Sequence, residues 1–242
     1  MTGIGDRGVR GVTQSARVTP TVWERTEGRR GPAASHSRDD LTAAAIELAD
    51  QGGLAAVSTR RIAQKLGVSQ SALYRYVSGR DEVLDLMVDF AAGQIDLGVA
   101  PSGAVIDDLI ALAVRAKTVH VGYPWLLDIP VEPLRVGPHA IAYLEYALRA
   151  MANIDVPEPV KLQAIAVLNA LVQQFARAEV GDRTVDRSRR ISQAAYLHKT
   201  AKQGDHRFLA AALEASNRDA EPPRDMFELV LRRVLEGLLR PD

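Results

Sequence analysis

The sequence predicts an all-α protein: an N-terminal three-helix helix-turn-helix head, a linker helix and a C-terminal helical bundle body. Three observations predict it. The stretch Val57 to Arg80, VSTRRIAQKLGVSQSALYRYVSGR, reads as two short helices about a Gly-centred turn, and it carries Arg60, Arg61, Lys65, Arg75 and Arg80 without one acidic residue. Beyond the Pro101-Ser102-Gly103 break, apolar residues recur at spacings of three and four, and no alternating strand pattern occurs. Charge is also segregated: residues 1–80 hold twelve Lys/Arg against seven Asp/Glu, although the whole chain of 242 residues has a formal net charge of zero. Phosphates respond to the local charge, so the basic head points to nucleic acid.

Residues 1–36 have no helical or strand period, are rich in Gly, Arg, Thr and Ser, and read as a disordered basic arm. Its Arg7, Arg10, Arg17, Arg25, Arg29 and Arg30 suit a DNA backbone or minor groove; a solvated tail without a role is the other reading. The head spans 37–82. Ser37 with Asp40 three residues on forms an N-cap pattern, Leu41, Ala45, Leu48 and Ala49 make an apolar face, and Gly52-Gly53 ends the first helix. Ser58 caps the second, which turns Ile62, Ala63 and Leu66 inward and stops at Gly67; Ser69 caps the third, with Leu73 inward.

A fourth helix begins at Ser78 or Gly79, has Asp81 and Glu82 in its first turn, repeats Val83, Met87 and Phe90, and is expected to reach Gly98. It links the head to a body spanning 83–242. Body helices are expected near 104–121, 138–152, 158–179, 205–216 and 225–240, with the polar stretch 180–204 as a mobile connection.

A helix-turn-helix points the exposed first turns of its second helix into the DNA major groove, which here means Gln70, Ser71, Tyr74 and Arg75. Arg75 offers a bidentate fork to guanine and Gln70 one to adenine, each discriminating by about 1–3 kcal/mol. Ser71 is a weaker polar contact, and Ala72 suits a thymine methyl.

The segment TRRIAQKLGVSQSALYRYVSGRDEVLDLM, preceded by LTAAAIELADQGGLAAVS, closely resembles the DNA-binding head of the tetracycline-repressor (TetR) family of bacterial transcription regulators. The resemblance covers Ser37 to Phe90, with the turn Leu66-Gly67-Val68 and the pair Leu73-Tyr74 at the family's spacing. Further on, YPWLLDIP and GPHAIAYLEYALRAM are similar to the ligand-binding and dimerising body of the tetracycline-repressor subgroup. The resemblance implies that Thr59 and Arg60 touch backbone or an adjacent base. It implies phosphate contacts from the hydroxyls of Tyr74 and Tyr76, one of these rings being core packing instead, and a phosphate clamp at Arg80. Ser71, Ala72, Arg75 and Tyr76 stand where the tetracycline repressor has Pro, Thr, Trp and His, so the docking mode carries over and the operator sequence does not.

In the body, a ligand pocket is expected from Tyr123, Trp125, Leu127, His139, Tyr143, Tyr146, Asn169, Gln173 and Phe175. Asn169, Gln173 and Arg177 share one helix face among apolar neighbours; buried polar groups need partners, which are a ligand, the dimer seam or one another, and the aromatic residues have plain core packing as their alternative. Phe227, Val230, Leu231, Val234, Leu235 and Leu238 form a broad apolar stripe expected to make a homodimer with the helix at 158–179, core packing being the alternative. No metal and no cofactor is expected. Pro133 falls where the tetracycline repressor's metal-binding His would stand, and His36, His120, His139, His198 and His206 lack paired-ligand spacing.

No catalytic motif appears, and without cysteine there is neither disulfide nor thiol chemistry. No apolar run approaches the ~20 residues a membrane helix requires, and the N-terminus lacks a signal-peptide pattern, so a cytoplasmic protein without membrane partners is expected. The expected function is a ligand-responsive transcription regulator, a repressor released from a palindromic operator in double-stranded DNA by a small organic molecule. The alternative is a DNA-binding regulator without such a ligand, constitutive or switched by a partner protein.

Overall fold

Ser37 starts the head as its sequence requires. Its hydroxyl accepts from the Asp40 amide at 3.1 Å while the Asp40 carboxylate accepts from the Ser37 amide at 2.7 Å, a reciprocal cap that opens α1 (Arg38–Gly52). Gly53, at φ 67°, closes it in the left-handed half of the map. A 3₁₀ turn at Leu54–Ala56 leads to α2 (Thr59–Leu66), capped by Ser58, and Gly67 at φ 68° turns the chain into the short α3 (Gln70–Leu73). Leu41, Ile62 and Leu73, all fully buried, pack the three helices around one core.

The computed structural model describes residues 20–25, 36–130, 134–184, 186–218 and 226–240, and among them are ten α-helices and no strand. α4 (Arg80–Ala92) gives Val83, Leu84, Leu86, Met87 and Ala91 to the head core, so that core extends past residue 82 into the linker helix. α4 ends at Ala92 rather than Gly98. The Gln94 and Ile95 amides reach back only three residues, and the ring of His139 lies against Gly93, where a Cβ would come within 3.0 Å.

The body is built on α5 (Val105–Gly122) and α7 (Glu158–Thr184), which pack along one another. A 3₁₀ turn at Pro124–Asp128 follows α5, and α6 (Pro138–Ala150) returns to both. Residues 180–204 are not a loose connection: α7 continues to Thr184, and Asp186 caps α8 (Arg187–Gln203) by accepting from the Ser188 amide at 2.9 Å. Among the described side chains of α8 only Ala201 is buried, so the helix has no apolar period to read. α9 (Arg207–Arg218) pairs with α8, and this hairpin exposes Ile191, Tyr196, Leu197, Phe208 and Leu209.

α10 (Met226–Leu238) corrects the expected dimer stripe. Phe227, Leu231 and Leu235 turn into the body core against α5 and α7, with the Phe227 and Phe175 rings 5.1 Å apart; Val230, Val234 and Leu238 are only half-buried. One helix face cannot be both core and interface, and the inner half is core.

The expectation of disorder across 1–36 also fails for 20–25. Val22 is 1% exposed within the head core and Trp23 packs beside it. Arg7, Arg10, Arg17, Arg29 and Arg30 lie outside the described residues, as does Pro133.

Candidate nucleic-acid interface and its joint to the body

The exposed faces of α2 and α3 meet at one surface. The Ser69 hydroxyl caps α3 by accepting from the Ala72 amide, which holds the first turn of the helix outward. Gln70 is exposed, and its Nε2 donates to Thr59 Oγ1 at 3.1 Å, so the two helices orient one amide between them. Ser71 is exposed and shares a hydrogen bond with Ser69, while Ala72 is half-buried. Arg60, Arg61 and Arg75 are exposed and their guanidiniums have no hydrogen-bond or ion-pair partner among the described residues, whereas Lys65 is held by Glu47 at 2.5 Å.

The two tyrosines separate. Tyr74 is 56% exposed and Tyr76 is 7% exposed, its ring in the head core with Val77. Tyr76 therefore takes the packing role, a correction forced by its register: it is three residues from Leu73 on the inward face. Arg80 is exposed, yet its Nε and Nη2 donate to the carbonyls of Val57 and Leu54 at 3.1 Å each. Its guanidinium ties the Leu54–Ala56 turn to the start of α4. Arg61 was not among the expected contacts; the acid-free run from Val57 was the available signal.

Head and body are joined by polar contacts that sequence reasoning missed. Asp89 of α4, 5% exposed, takes three hydrogen bonds from the start of α6: Oδ1 accepts from the His139 and Ala140 amides at 3.0 and 3.1 Å, and Oδ2 pairs with His139 Nδ1 at 2.9 Å. Since Gly137 supplies no side-chain cap, a carboxylate from another helix caps α6. Arg135, just before α6, reaches the Asp81 carbonyl at 2.9 Å and pairs with Asp85. Burial raises the Asp85 carboxyl above its usual pKa, and the hydrogen bond and charge of Arg135 oppose that rise. Trp125, 3% exposed, sits in the head core and donates from Nε1 to Asp50 of α1 at 2.9 Å.

The nine expected pocket residues do not line one cavity. Trp125 belongs to the head core, and Tyr123 lies between it and Phe90 with ring centroids 5.7 and 6.3 Å away. Leu127 is buried and its carbonyl accepts from Arg177. Tyr143 donates to Asn169 Oδ1 at 2.6 Å inside the body, and burial raises its hydroxyl above the usual pKa. Tyr146 donates to the Val99 carbonyl and has the guanidiniums of Arg115 and Arg149 near its ring. Phe175, half-buried, packs against the body core, Gln173 is exposed, and His139 lines a cleft of about 790 Å³ between α1, α4 and α6 with Trp23, Phe90 and Gln94. Aromatic periodicity locates a core without saying which core. Among the described residues no three His, Cys, Asp or Glu side chains come together as a metal site.

Two family models match separate stretches of the chain. Residues 41–87 match the family model described as bacterial regulatory proteins, tetR family, and residues 98–240 match that of the tetracyclin repressor-like C-terminal domain. The chain is 29% identical over 237 residues to the HTH-type transcriptional repressor DrrR1 of Streptomyces coeruleorubidus, covering 92% of this chain and 85% of that protein. It is 30% identical over 198 residues to an HTH-type transcriptional regulator of Saccharopolyspora erythraea, covering 82% and 84%. Among solved structures, apo ActR from Streptomyces coelicolor superposes with a TM-score of 0.72 at 21% identity, over 86% of this chain and 97% of that one. ActR in complex with actinorhodin gives 0.71 at 22% identity, over 85% and 96%.

Proposed function

Because the chain belongs to the tetR family of bacterial regulatory proteins, it is a DNA-binding transcription regulator, and we propose that it is a homodimeric repressor of a palindromic operator, released by a small organic molecule. One observation carries the DNA-reading surface: Arg60, Arg61 and Arg75, exposed and with guanidiniums that have no partner among the described residues, stand with Gln70 and Tyr74 on the outer face of α2 and α3. Guanidiniums left without internal counter-ions suit phosphates and base edges. In this reading Gln70 and Arg75 read bases, Ser71 and Ala72 make smaller contacts, Thr59 orients Gln70, and Arg60, Arg61 and Tyr74 hold the backbone.

A dimer is supported by α7, which exposes Leu162, Ala166, Ala170 and Gln173 at three- and four-residue steps, and by the half-buried Val230 and Val234 of α10, the helix packed against it. Two heads must enter successive major grooves about 34–36 Å apart, so a body state that changes their separation weakens binding. A ligand achieves this by binding the two states unequally. The relative DrrR1 is named a repressor and the structural neighbour ActR was crystallised with actinorhodin, which gives the proposal its direction.

A second reading, a regulator that is constitutive or switched by a partner protein, is favoured by the pairing of Tyr143 with Asn169 and by a cleft that opens at the joint rather than beside Trp125 or Gln173. Selection from a random duplex library tests the DNA reading: a two-fold symmetric site is expected, and its absence counts against it. Titrating a panel of metabolites and antibiotics into the preformed complex, with and without a chelator, tests the switch. Release insensitive to the chelator supports a metal-free organic ligand; compounds that stabilise the protein and never change its DNA affinity support the second reading.

A further inference from the structure

The segment 20–25 is a built element, and its placement is not accounted for by the DNA-reading surface or by the dimer. Thr21 and Glu24 close it on itself: the Thr21 amide and hydroxyl donate to Glu24 Oε2 at 2.7 and 3.0 Å, and the Glu24 amide returns to the Thr21 carbonyl at 3.2 Å. Val22 anchors this turn in the head core. Arg25 pairs with Glu82 and donates to Ser78, the two residues that bracket the start of α4, while Arg38 Nη2 holds the Arg25 carbonyl at 2.7 Å.

Trp23 extends the other way. A Cβ on Gly137, the residue before α6, would stand 2.5 Å from Trp23 Cζ2 and 2.4 Å from Asp89 Cγ, so the indole lies over the point where Asp89 caps the body helix. Gly137 has φ −111°, an ordinary value, so close approach rather than backbone conformation makes glycine necessary there. The segment thus spans α4 from its first turn to the Asp89 contact and touches head and body at once.

We propose that residues 20–25 form a clasp that fixes the head on the body, with Trp23 and Arg25 as positioning residues that determine which half-site spacing the dimer accepts. The proposal rests on the DNA-binding reading for its spacing claim and on the contacts above for its mechanical claim. The mechanism is steric and electrostatic. A head free to pivot about α4 samples a range of separations, and each base pair of spacing changes the required separation by about 3.4 Å. A head pinned at Glu82 and Gly137 tolerates only one.

The test compares the full chain with the double variant Trp23→Ala, Arg25→Ala, after circular dichroism has shown equal helix content. Both proteins are titrated with the symmetric duplex selected by the parent and with duplexes one base pair longer and shorter between half-sites. The parent is expected to lose about tenfold or more in affinity on either altered duplex, and the variant less than about threefold. Equal spacing profiles overturn the proposal.

An independent readout needs no DNA. The chain has no cysteine, so Gln64→Cys on α2 and Glu145→Cys on α6, both exposed, place two spin labels uniquely, and dilution with unlabelled chain isolates the distance within one subunit. The clasp requires a narrow distance distribution in the parent that broadens in the variant; superimposable distributions overturn it. Should the double variant lose helix content, Trp23→Ala alone is carried through the same measurement. If the parent selects no symmetric duplex, the DNA reading fails while the distance measurement still decides the clasp.

Discussion

Replacing Asp89 separates two roles that its carboxylate combines. Its Oδ1 satisfies the amides of His139 and Ala140 at the start of α6, and its Oδ2 holds the His139 ring. Asp89→Ala removes all three contacts. Loss of a helix N-cap costs about 1 kcal/mol, and a buried donor left without an acceptor adds about 1–3 kcal/mol. The His139 side chain is 60% exposed, so water replaces its share and that bond adds little. The expected loss for Asp89→Ala is about 2–4 kcal/mol in total. Asp89→Asn keeps an Oδ1 acceptor for both amides and forfeits mainly the interaction of a negative charge with the helix terminus, about 0.5–1 kcal/mol. Urea unfolding at matched protein concentration measures both, and an unchanged m-value would show that the native state is otherwise intact. Equal losses for the two variants, or a loss below about 0.5 kcal/mol for Asp89→Ala, would refute the reasoning that capping across the joint is what this residue does.

Three further outcomes are expected. Arg75→Ala should cost about 1–3 kcal/mol in DNA affinity and relax preference at one position per half-site, while Arg61→Ala should weaken all duplexes alike and lower the salt slope by about one, both read by fluorescence anisotropy. His120 of α5 has its pKa lowered chiefly by burial, so the unfolded chain protonates before the folded one; stability should fall as pH drops below the ordinary value of 6.5, and His120→Gln should flatten that slope in urea titrations between pH 7 and about 5. Ala166→Arg, on the exposed face of α7, should yield a monomer in analytical ultracentrifugation with its helix content retained, and a dimer of unchanged affinity would move the interface elsewhere.

The head was legible because local chemistry decides it. The Ser37 and Asp40 pair, the caps at Ser58 and Ser69 and the left-handed Gly67 each follow from one or two neighbouring residues, and the structure places them as read. The body resisted where long-range choices decide. Trp125 and Tyr143 look alike in periodicity, yet one joins the head core and bonds to Asp50 while the other faces Asn169. The α10 stripe has two sides, and only packing reveals that Leu231 and Leu235 take the inner one. α8 was unreadable because a helix facing solvent nearly all round has no apolar stripe. Val22 and Trp23 were invisible for a simpler reason: two apolar residues are too few to set a period, and their places are set by the head core and by Gly137, far along the chain.

The chain has only two tryptophans, and both lie where the head meets the body: Trp23 over Gly137, Trp125 bonded to Asp50. The described helices α5 to α10 hold no indole, so light absorbed at the red edge of the protein spectrum is re-emitted from this joint alone. Trp125 is sealed from solvent and Trp23 is partly open, so a dissolved quencher should silence them unequally and separate their lifetimes. The molecule therefore carries its own optical gauge. An event deep in the body that leaves the emission unchanged has stayed there, and one that alters it has been transmitted towards the DNA-reading surface.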